Sequence, residues 1–199
     1  MGFFDDLKRA VGNSLKREAV KKINEAVSEI GKGTNRSERF TFEALPKNLS
    51  ELSSLAEASL DSAFKTAALT VAVLCRYGQN SEDTVEMLNF LKGPEEVSGY
   101  EKQFYKERLT GKEYIPFSYF DGAEPENGYT PSQPFTLSVY ENPYSFDNEN
   151  WATLWVKSSG ADSMRSIKLR KKPSTGQWFL NDIQCLSEIR IPTAEDKWA

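Results

Sequence analysis

Histidine is absent from this sequence of 199 residues. It is the side chain that titrates nearest neutral pH, and it is the commonest general base and metal ligand in proteins. Its absence excludes Ser-His and Cys-His catalysis and the zinc sites that contain histidine. We therefore expect no catalytic, cofactor-binding or metal-binding residue, and we favour a protein that is not an enzyme. Catalysis by paired carboxylates, by lysine or through a bound cofactor stays open.

Cysteine and long apolar runs are also scarce. The two cysteines, Cys75 and Cys185, are too few and too far apart for a disulfide framework or a zinc cluster. The longest apolar run, at residues 67–75, is far shorter than the roughly 20 residues that span a bilayer. Asp5 and Asp6 stand where a secretory signal has its basic region and apolar core. These features predict buried free thiols in a reducing compartment, and therefore a cytoplasmic location.

Basic residues are outnumbered in the chain as a whole. The 25 lysines and arginines face 29 aspartates and glutamates, which gives a net charge of −4 and a pI near 5.1. A general nucleic-acid binder presents a basic domain, so we expect no nucleic-acid partner. Residues 5–32 differ, because seven basic residues against five acidic ones give them a net charge of +2. This segment suits docking on its own domain, on an acidic protein partner or on an anionic membrane.

Residues 1–32 contain no proline, and apolar residues recur in them about every fourth position. This spacing predicts an amphipathic helical extension that is separate from a globular domain at residues 33–199. The polar, glycine-containing residues 31–37 mark the boundary between the two. An added amphipathic helix indicates a protein partner or self-association as a homo-oligomer, and we assign the contact to its apolar residues. These are Phe3, Phe4, Leu7, Val11, Val20, Ile23, Val27 and Ile30.

A membrane surface is the alternative partner for this segment. Its basic middle section and its two leading phenylalanines are typical of a helix that lies on an anionic bilayer. Five acidic residues weaken that attraction, and the second half of the segment has the three-and-four spacing of a helix-pairing seam. We therefore place a membrane second to protein contact. The seam consists of Val20, Ile23, Val27 and Ile30.

The globular domain divides into a helical part at residues 41–111 and a β-rich part at residues 112–192. Glycines, and caps such as the pair Ser98 and Glu101, delimit the helices. In the second part, β-branched and aromatic runs predict strands at 114–120, 135–140, 151–157, 165–171 and 177–183. Because the helices come before the strands, we predict an α+β fold in which a meandering antiparallel sheet packs on the helices.

Aromatic residues and prolines are concentrated at residues 114–135. A rigid aromatic loop can shape a ligand pocket between sheet and helices, and we name Tyr119, Tyr129 and Trp151 as its lining. We favour a structural role for the loop itself, with its carboxylates solvated. A small-molecule-binding domain, or an enzyme with this pocket, is the alternative function of the chain.

The concentrated basic run of the domain, from Arg165 to Lys172, lies near Trp178 across a predicted hairpin. Cations beside an aromatic ring can bind phosphate or single-stranded nucleic acid. A solvated outer sheet face accounts for the same residues, and the acidic pI favours that interpretation.

Several segments of the second half resemble a family of uncharacterised proteins from gut Gram-positive bacteria. They are YIPFSYFDGAEPENGYTP at 114–131, IKLRKK at 167–172, GQWFL at 176–180 and EDKWA at 195–199. The resemblance covers at least half of the chain and implies a bacterial cytoplasmic protein, without implying an activity or a site. The order of helices and then strands also resembles the nuclear-transport-factor-2-like fold, which hosts both binding proteins and enzymes.

Overall fold

The computed structural model describes residues 36–198. The eight residues from Phe3 to Ile30 that the sequence assigns to partner binding lie outside this range, as does the boundary at residue 32. The helical extension therefore stays a prediction. Its contact with a protein partner, and the alternative contact with a membrane, stay predictions as well.

The described chain forms an antiparallel sheet of five strands. The strands lie in the order in which they occur in the chain, so neighbours in sequence are also neighbours in the sheet. They are β1 (Ser37–Phe42), β2 (Phe135–Tyr140), β3 (Trp151–Val156), β4 (Arg165–Lys171) and β5 (Trp178–Ile183). This is the meandering sheet that the sequence predicts, and the α+β fold is confirmed. The nuclear-transport-factor-2-like arrangement stays a prediction.

Five helices lie between β1 and β2 in the part of the chain that is described. They are α1 (Leu49–Ser54), α2 (Ala63–Leu74), α3 (Ser81–Lys92), α4 (Gly99–Leu109) and α5 (Tyr114–Phe117). Helix α2 is the central one, because eleven of its twelve residues are buried and it contacts all five strands. Its alanine, valine, leucine and threonine side chains allow it to be enclosed on all sides.

Side-chain caps define where the longer helices begin. The Asn80 side chain accepts hydrogen bonds from the backbone N–H groups of Glu82 and Asp83 ahead of α3. Ser98 and Glu101 form the predicted capping box at the start of α4. Gly93 ends α3 at a φ of +69°, and any Cβ there would collide with a neighbouring aromatic ring of β5.

The predicted strand at 114–120 is wrong. Residues Tyr114–Phe117 form the short helix α5, in which Ile115 and Pro116 are buried. Proline is compatible with the first turn of a helix, where its missing N–H group needs no acceptor. The aromatic content that indicates a strand in this segment instead serves to fill the core beside α2.

Strand β1 is missing from the sequence interpretation, which assigns its residues to a polar join and to the start of the helical part. In the structure the buried Phe40 and Phe42 alternate with the exposed Arg39 and Thr41. Every residue of β1 pairs with β2. The helical part is therefore an insertion between the first two strands of the sheet.

The two cysteines occupy the interior. Cys75 and Cys185 are both free and buried, which confirms the prediction for the thiols. Burial raises the pKa of the Cys75 thiol well above its ordinary value and the pKa of Cys185 to about 12, so both stay protonated and unreactive in the native protein. Within residues 36–198, no helix has the length and apolar character needed to cross a membrane.

Candidate functional site

The two faces of the sheet differ in how fully they are covered. Side chains alternate along each strand, and one set, which includes Leu137, Leu154 and Ile167, is fully buried in the core. The other set forms the outer face, where side chains are half-buried or exposed. Trp151 is 38% exposed, and Trp155 is half-buried. Partly exposed tryptophans on an open sheet face are suited to contact with another surface.

One row of residues crosses this outer face from the first strand to the last. Ser37 pairs with Tyr140, Tyr140 pairs with Trp155, and Trp155 pairs with Ser166. The backbone N–H of Gln184, just after β5, donates to the Ser166 carbonyl over 2.9 Å. The Ser166 hydroxyl also donates to the Gln184 amide oxygen over 3.0 Å. The row is thus continuous across the sheet.

An open groove of about 490 Å³ lies along the second half of this row. It runs over β3, β4 and the end of β5 and reaches helix α4 beside the sheet. Trp155 and Met164 contribute apolar surface to this groove. Met164 is 41% exposed. We call it the sheet-face groove and define it by Phe104, Trp155, Met164, Ser166, Gln184 and Glu188.

Arg165 forms a fixed wall of the sheet-face groove. Its Nε donates to the carbonyl of Ser187 and its Nη2 to the carbonyl of Glu188, each over 3.0 Å. Only 12% of its side chain is exposed, whereas the Glu188 side chain is 87% exposed. The guanidinium is held by these carbonyls, and it also pairs with the exposed Glu188 carboxylate over 3.5 Å at the rim of the groove.

A second cleft, of about 270 Å³, lies between the β4–β5 hairpin and the end of α3. We call it the hairpin cleft and define it by Lys92, Glu95, Arg170, Lys171, Lys172 and Phe179. The guanidinium of Arg170 lies 5.2 Å from the ring centre of Trp151 and 3.8 Å from the Glu95 carboxylate. The Lys171 amine lies 5.7 Å from the ring centre of Trp178.

The structure divides the basic run into separate environments. Arg165 lines the sheet-face groove, and Lys168 pairs with Asp182 across the sheet over 3.6 Å. Arg170, Lys171 and Lys172 line the hairpin cleft at the other end of β4. Of these basic residues, Lys171 has its amine over the ring of Trp178. The same ring packs edge-on against Phe146. The run is therefore not a single basic patch.

The three residues that the sequence assigns to a pocket have different surroundings. The buried Tyr119 donates its hydroxyl to the Cys185 carbonyl over 2.6 Å. The buried Tyr129 donates to the Arg190 carbonyl over 2.7 Å. Trp151 lies on the outer face of the sheet. None of the three lines the two clefts defined above, so a pocket that they form together stays a prediction.

Burial raises the pKa of both tyrosine hydroxyls, so they stay protonated and act as hydrogen-bond donors. The ring of Tyr129 stacks on that of Tyr114, with ring centres 5.2 Å apart. Gly160 lies against the Tyr129 hydroxyl, where any Cβ would collide with it. These contacts attach the aromatic loop to the C-terminal part of the chain.

A hydrogen-bonded asparagine organises the aromatic loop itself. The Asn127 side chain accepts from the backbone N–H groups of Glu124 and Thr130 and donates to the carbonyls of Gly122 and Thr130. The Asp121 carboxylate pairs with Arg39 of β1. The loop therefore has a structural role. Among the residues from 36 to 198, no cluster of acidic and cysteine side chains is arranged to hold a metal ion.

Comparison with known proteins assigns most of the chain to one family. A family model described as a domain of unknown function, DUF6935, matches residues 44–193. No curated protein and no solved structure matches the chain. The matched range begins after β1 and includes every residue that defines the sheet-face groove and the hairpin cleft.

Proposed function

The chain belongs to the DUF6935 family of domains of unknown function, and we propose that it is a non-enzymatic protein-binding module. Its N-terminal segment makes the contact, either with a protein partner or with a second copy of the chain. The observation that carries the proposal is the row of residues on the outer sheet face. That row begins at Ser37, next to the segment, and contains partly exposed aromatic surface.

The chemistry of the segment supports the same function. Its apolar residues from Phe3 to Ile30 have helical spacing, and no proline interrupts them. A straight helix of this length would measure about 42 Å, more than twice the roughly 19 Å between the outer strands of a five-stranded sheet. Part of its apolar stripe would thus extend beyond the sheet, where a partner can contact it.

Light scattering after size-exclusion chromatography tests the proposal. We expect the full chain to be a dimer or larger, or to bind a partner, and a chain that begins at Thr34 to be a monomer. Phe3→Ser with Leu7→Ser should reduce the mass of the full chain toward the monomer. The matched control, Arg9→Ser with Asn13→Ser, changes the polar side at the same spacing and should leave the mass unchanged. Equal masses and equal partner recovery for every chain would contradict the proposal.

A cytoplasmic location in a gut Gram-positive bacterium is part of the proposal. The buried, free thiols of Cys75 and Cys185 support a reducing compartment, and the segments quoted from the sequence support the origin. Attachment to an anionic membrane is the alternative role of the N-terminal segment. Sedimentation with anionic liposomes, with and without residues 1–32, separates it from protein contact.

A second candidate function is the binding of a small anion in the hairpin cleft. Arg170, Lys171 and Lys172 line this cleft together with the ring of Phe179. Cations that line a cleft with an apolar wall suit a phosphate or carboxylate group that carries a flat ring.

Isothermal titration with inorganic phosphate at low ionic strength tests this second function. Lys172→Glu should weaken binding about tenfold or more, because it replaces an attraction by a repulsion. Lys168→Glu is the matched control, since Lys168 pairs with Asp182 outside the cleft. Absence of measurable heat for the unaltered chain would exclude phosphate as the ligand.

A further inference from the structure

The cross-strand row that leads to the sheet-face groove begins where the described chain begins. The carbonyl of Arg36 accepts a hydrogen bond from the backbone N–H of Glu141 over 2.9 Å, so the chain enters the structure at one end of the cross-strand row. From there the row passes through Tyr140 to Trp155, the first groove residue. A chain that continues from Arg36 over the outer face can follow this row to the groove.

The length of the connection allows the seam to reach the groove. Arg36 is six positions after Ile30, with five residues between them, and an extended chain of six steps spans up to about 20 Å. Trp155 lies on the third strand, about 10 Å from β1 at the usual strand spacing. The seam can therefore lie above Trp155 without strain in the connecting residues.

The length of the seam matches the remaining width of the surface. As a helix, the stretch from Val20 to Ile30 spans about 15 Å. The groove extends from β3 over β5 to Phe104 of α4, which is about 10 Å of sheet plus the width of one neighbouring helix. With Ile30 near Trp155, Val20 would lie near Phe104.

We propose that the sheet-face groove is the binding site for residues 20–30 of the same chain. Trp155, Met164 and Phe104 would contact the seam, whose apolar side chains would face the sheet. Residues 3–11 would then project past the sheet, available to a partner or a second copy. The inference deepens the function proposed above and rests on it only in the assignment of residues 3–11.

Cross-linking of the full chain tests the proposal. Ile23→Cys is combined with Ser166→Cys, and the protein is treated with a short bismaleimide. Cys75 and Cys185 are buried, so the introduced thiols are the ones that react. The matched control combines Glu25→Cys, on the opposite side of the predicted helix, with the same Ser166→Cys. We expect about tenfold more cross-link within one chain for the first pair, because facing thiols have a high effective concentration.

Quenching of tryptophan fluorescence by acrylamide provides a second measurement on the full chain. Ile23→Asp with Val27→Asp should increase the quenching, because Trp155 becomes uncovered. Asn24→Asp with Ser28→Asp adds the same charge at the same spacing and should leave the quenching unchanged. Trp155→Phe should abolish the difference between these two chains, which assigns the effect to the groove.

The outcomes separate this proposal from the proposed function. Equal cross-linking of both cysteine pairs, or equal quenching of both aspartate variants, would overturn the assignment of the groove. A cross-link between two chains would overturn the same-chain assignment. If the full chain is a monomer that still forms the internal cross-link, the groove assignment holds and self-association fails. If the chain is a dimer without the cross-link, self-association holds and the groove assignment fails.

Discussion

The two faces of the sheet are built from alternate residues of the same five strands, but they have opposite roles. On the inner face Leu137, Leu154 and Ile167 are fully buried under helix α2. On the outer face Arg170 and Lys168 retain 58% and 45% of their side-chain exposure. The inner face has its partners within the domain. The outer face has aromatic surface, and its charged pairs stay exposed to solvent.

This difference predicts that residues of the inner face determine stability and that residues of the outer face determine binding. Substitutions on the inner face remove contacts that are already made, so they should lower the free energy of unfolding. Substitutions on the outer face should change stability little and binding more. The following predictions test this separation, beginning with the largest expected effect.

Leu154→Ala should lower the free energy of unfolding by about 3 kcal/mol, because it leaves a cavity at a fully buried position of β3. The neighbouring Thr153 belongs to the outer face, and Thr153→Ala should change stability by less than about 0.5 kcal/mol. Urea denaturation of both variants measures the difference. Similar losses for the two would mean that the outer face is as fully packed as the inner one.

Glu101→Gln should lower the free energy of unfolding by about 2 kcal/mol, because the nearly buried amine of Lys92 would lose its charged partner. The Lys92 Nζ lies 2.6 Å from the Glu101 carboxylate. Urea denaturation measures the loss. Glu107→Gln, on the same helix but exposed, is the control and should have a small effect.

The same ion pair predicts a dependence on pH. Burial alone would raise the pKa of Glu101, but hydrogen bonds from Lys92 and Ser98 outweigh it, so the pKa is lowered. A carboxyl whose pKa is lower in the folded state stabilises the fold above its unfolded pKa, and this contribution is lost as the pH falls. The advantage of the unaltered chain over Glu101→Gln should therefore shrink below about pH 4.5. An advantage that does not change with pH would contradict the ion pair.

Tyr119→Phe should lower the free energy of unfolding by about 1 to 2 kcal/mol, because it leaves the buried Cys185 carbonyl without its hydroxyl donor. Tyr140→Phe on the outer face is the comparison and should have a smaller effect. Thermal and urea unfolding measure both. A larger loss of unfolding free energy for Tyr140→Phe than for Tyr119→Phe would mean that the buried hydroxyl contributes less to stability than the hydroxyl on the outer face.

Arg170→Met should lower the free energy of unfolding by only about 0.5 kcal/mol, because its contacts with Trp151 and Glu95 are exposed. A double-mutant cycle with Trp151→Leu isolates the interaction between cation and ring. Coupling well above about 1 kcal/mol would mean that this part of the outer face is desolvated.

Much of the sheet can be predicted from sequence, because local alternation is enough. In β4 the buried Ile167 and Leu169 alternate with Lys168 and Arg170, and the predicted bounds are those of the structure. Strand β2 is likewise predicted with its observed bounds. Strand β1 could not be predicted in this way. Its two apolar residues, Phe40 and Phe42, form a recognisable strand only when β1 pairs with β2. Roughly 90 residues separate Phe42 from Phe135.

The candidate surfaces were harder to predict than the strands. Alternation within the predicted strand at 151–157 places Trp151 and Trp155 on one face, and this signal could have indicated an aromatic outer face. The groove itself depends on the pairing of Trp155 with Ser166 and on the approach of Phe104 from α4. Such register and packing are tertiary properties. The hydroxyl partners of Tyr119 and Tyr129 lie more than sixty residues away, so no local pattern predicts them.

The insertion of all five described helices between β1 and β2 has a consequence for synthesis of the chain. The β4–β5 hairpin closes over a few residues, whereas β1 must wait for a partner roughly 90 residues further on. At about 5–20 residues per second, that wait on the ribosome lasts roughly 5 to 20 seconds. During this time the apolar Phe40 and Phe42 of β1 have no partner strand. A chaperone or nascent-chain factor can therefore contact β1 before the sheet that buries it has formed.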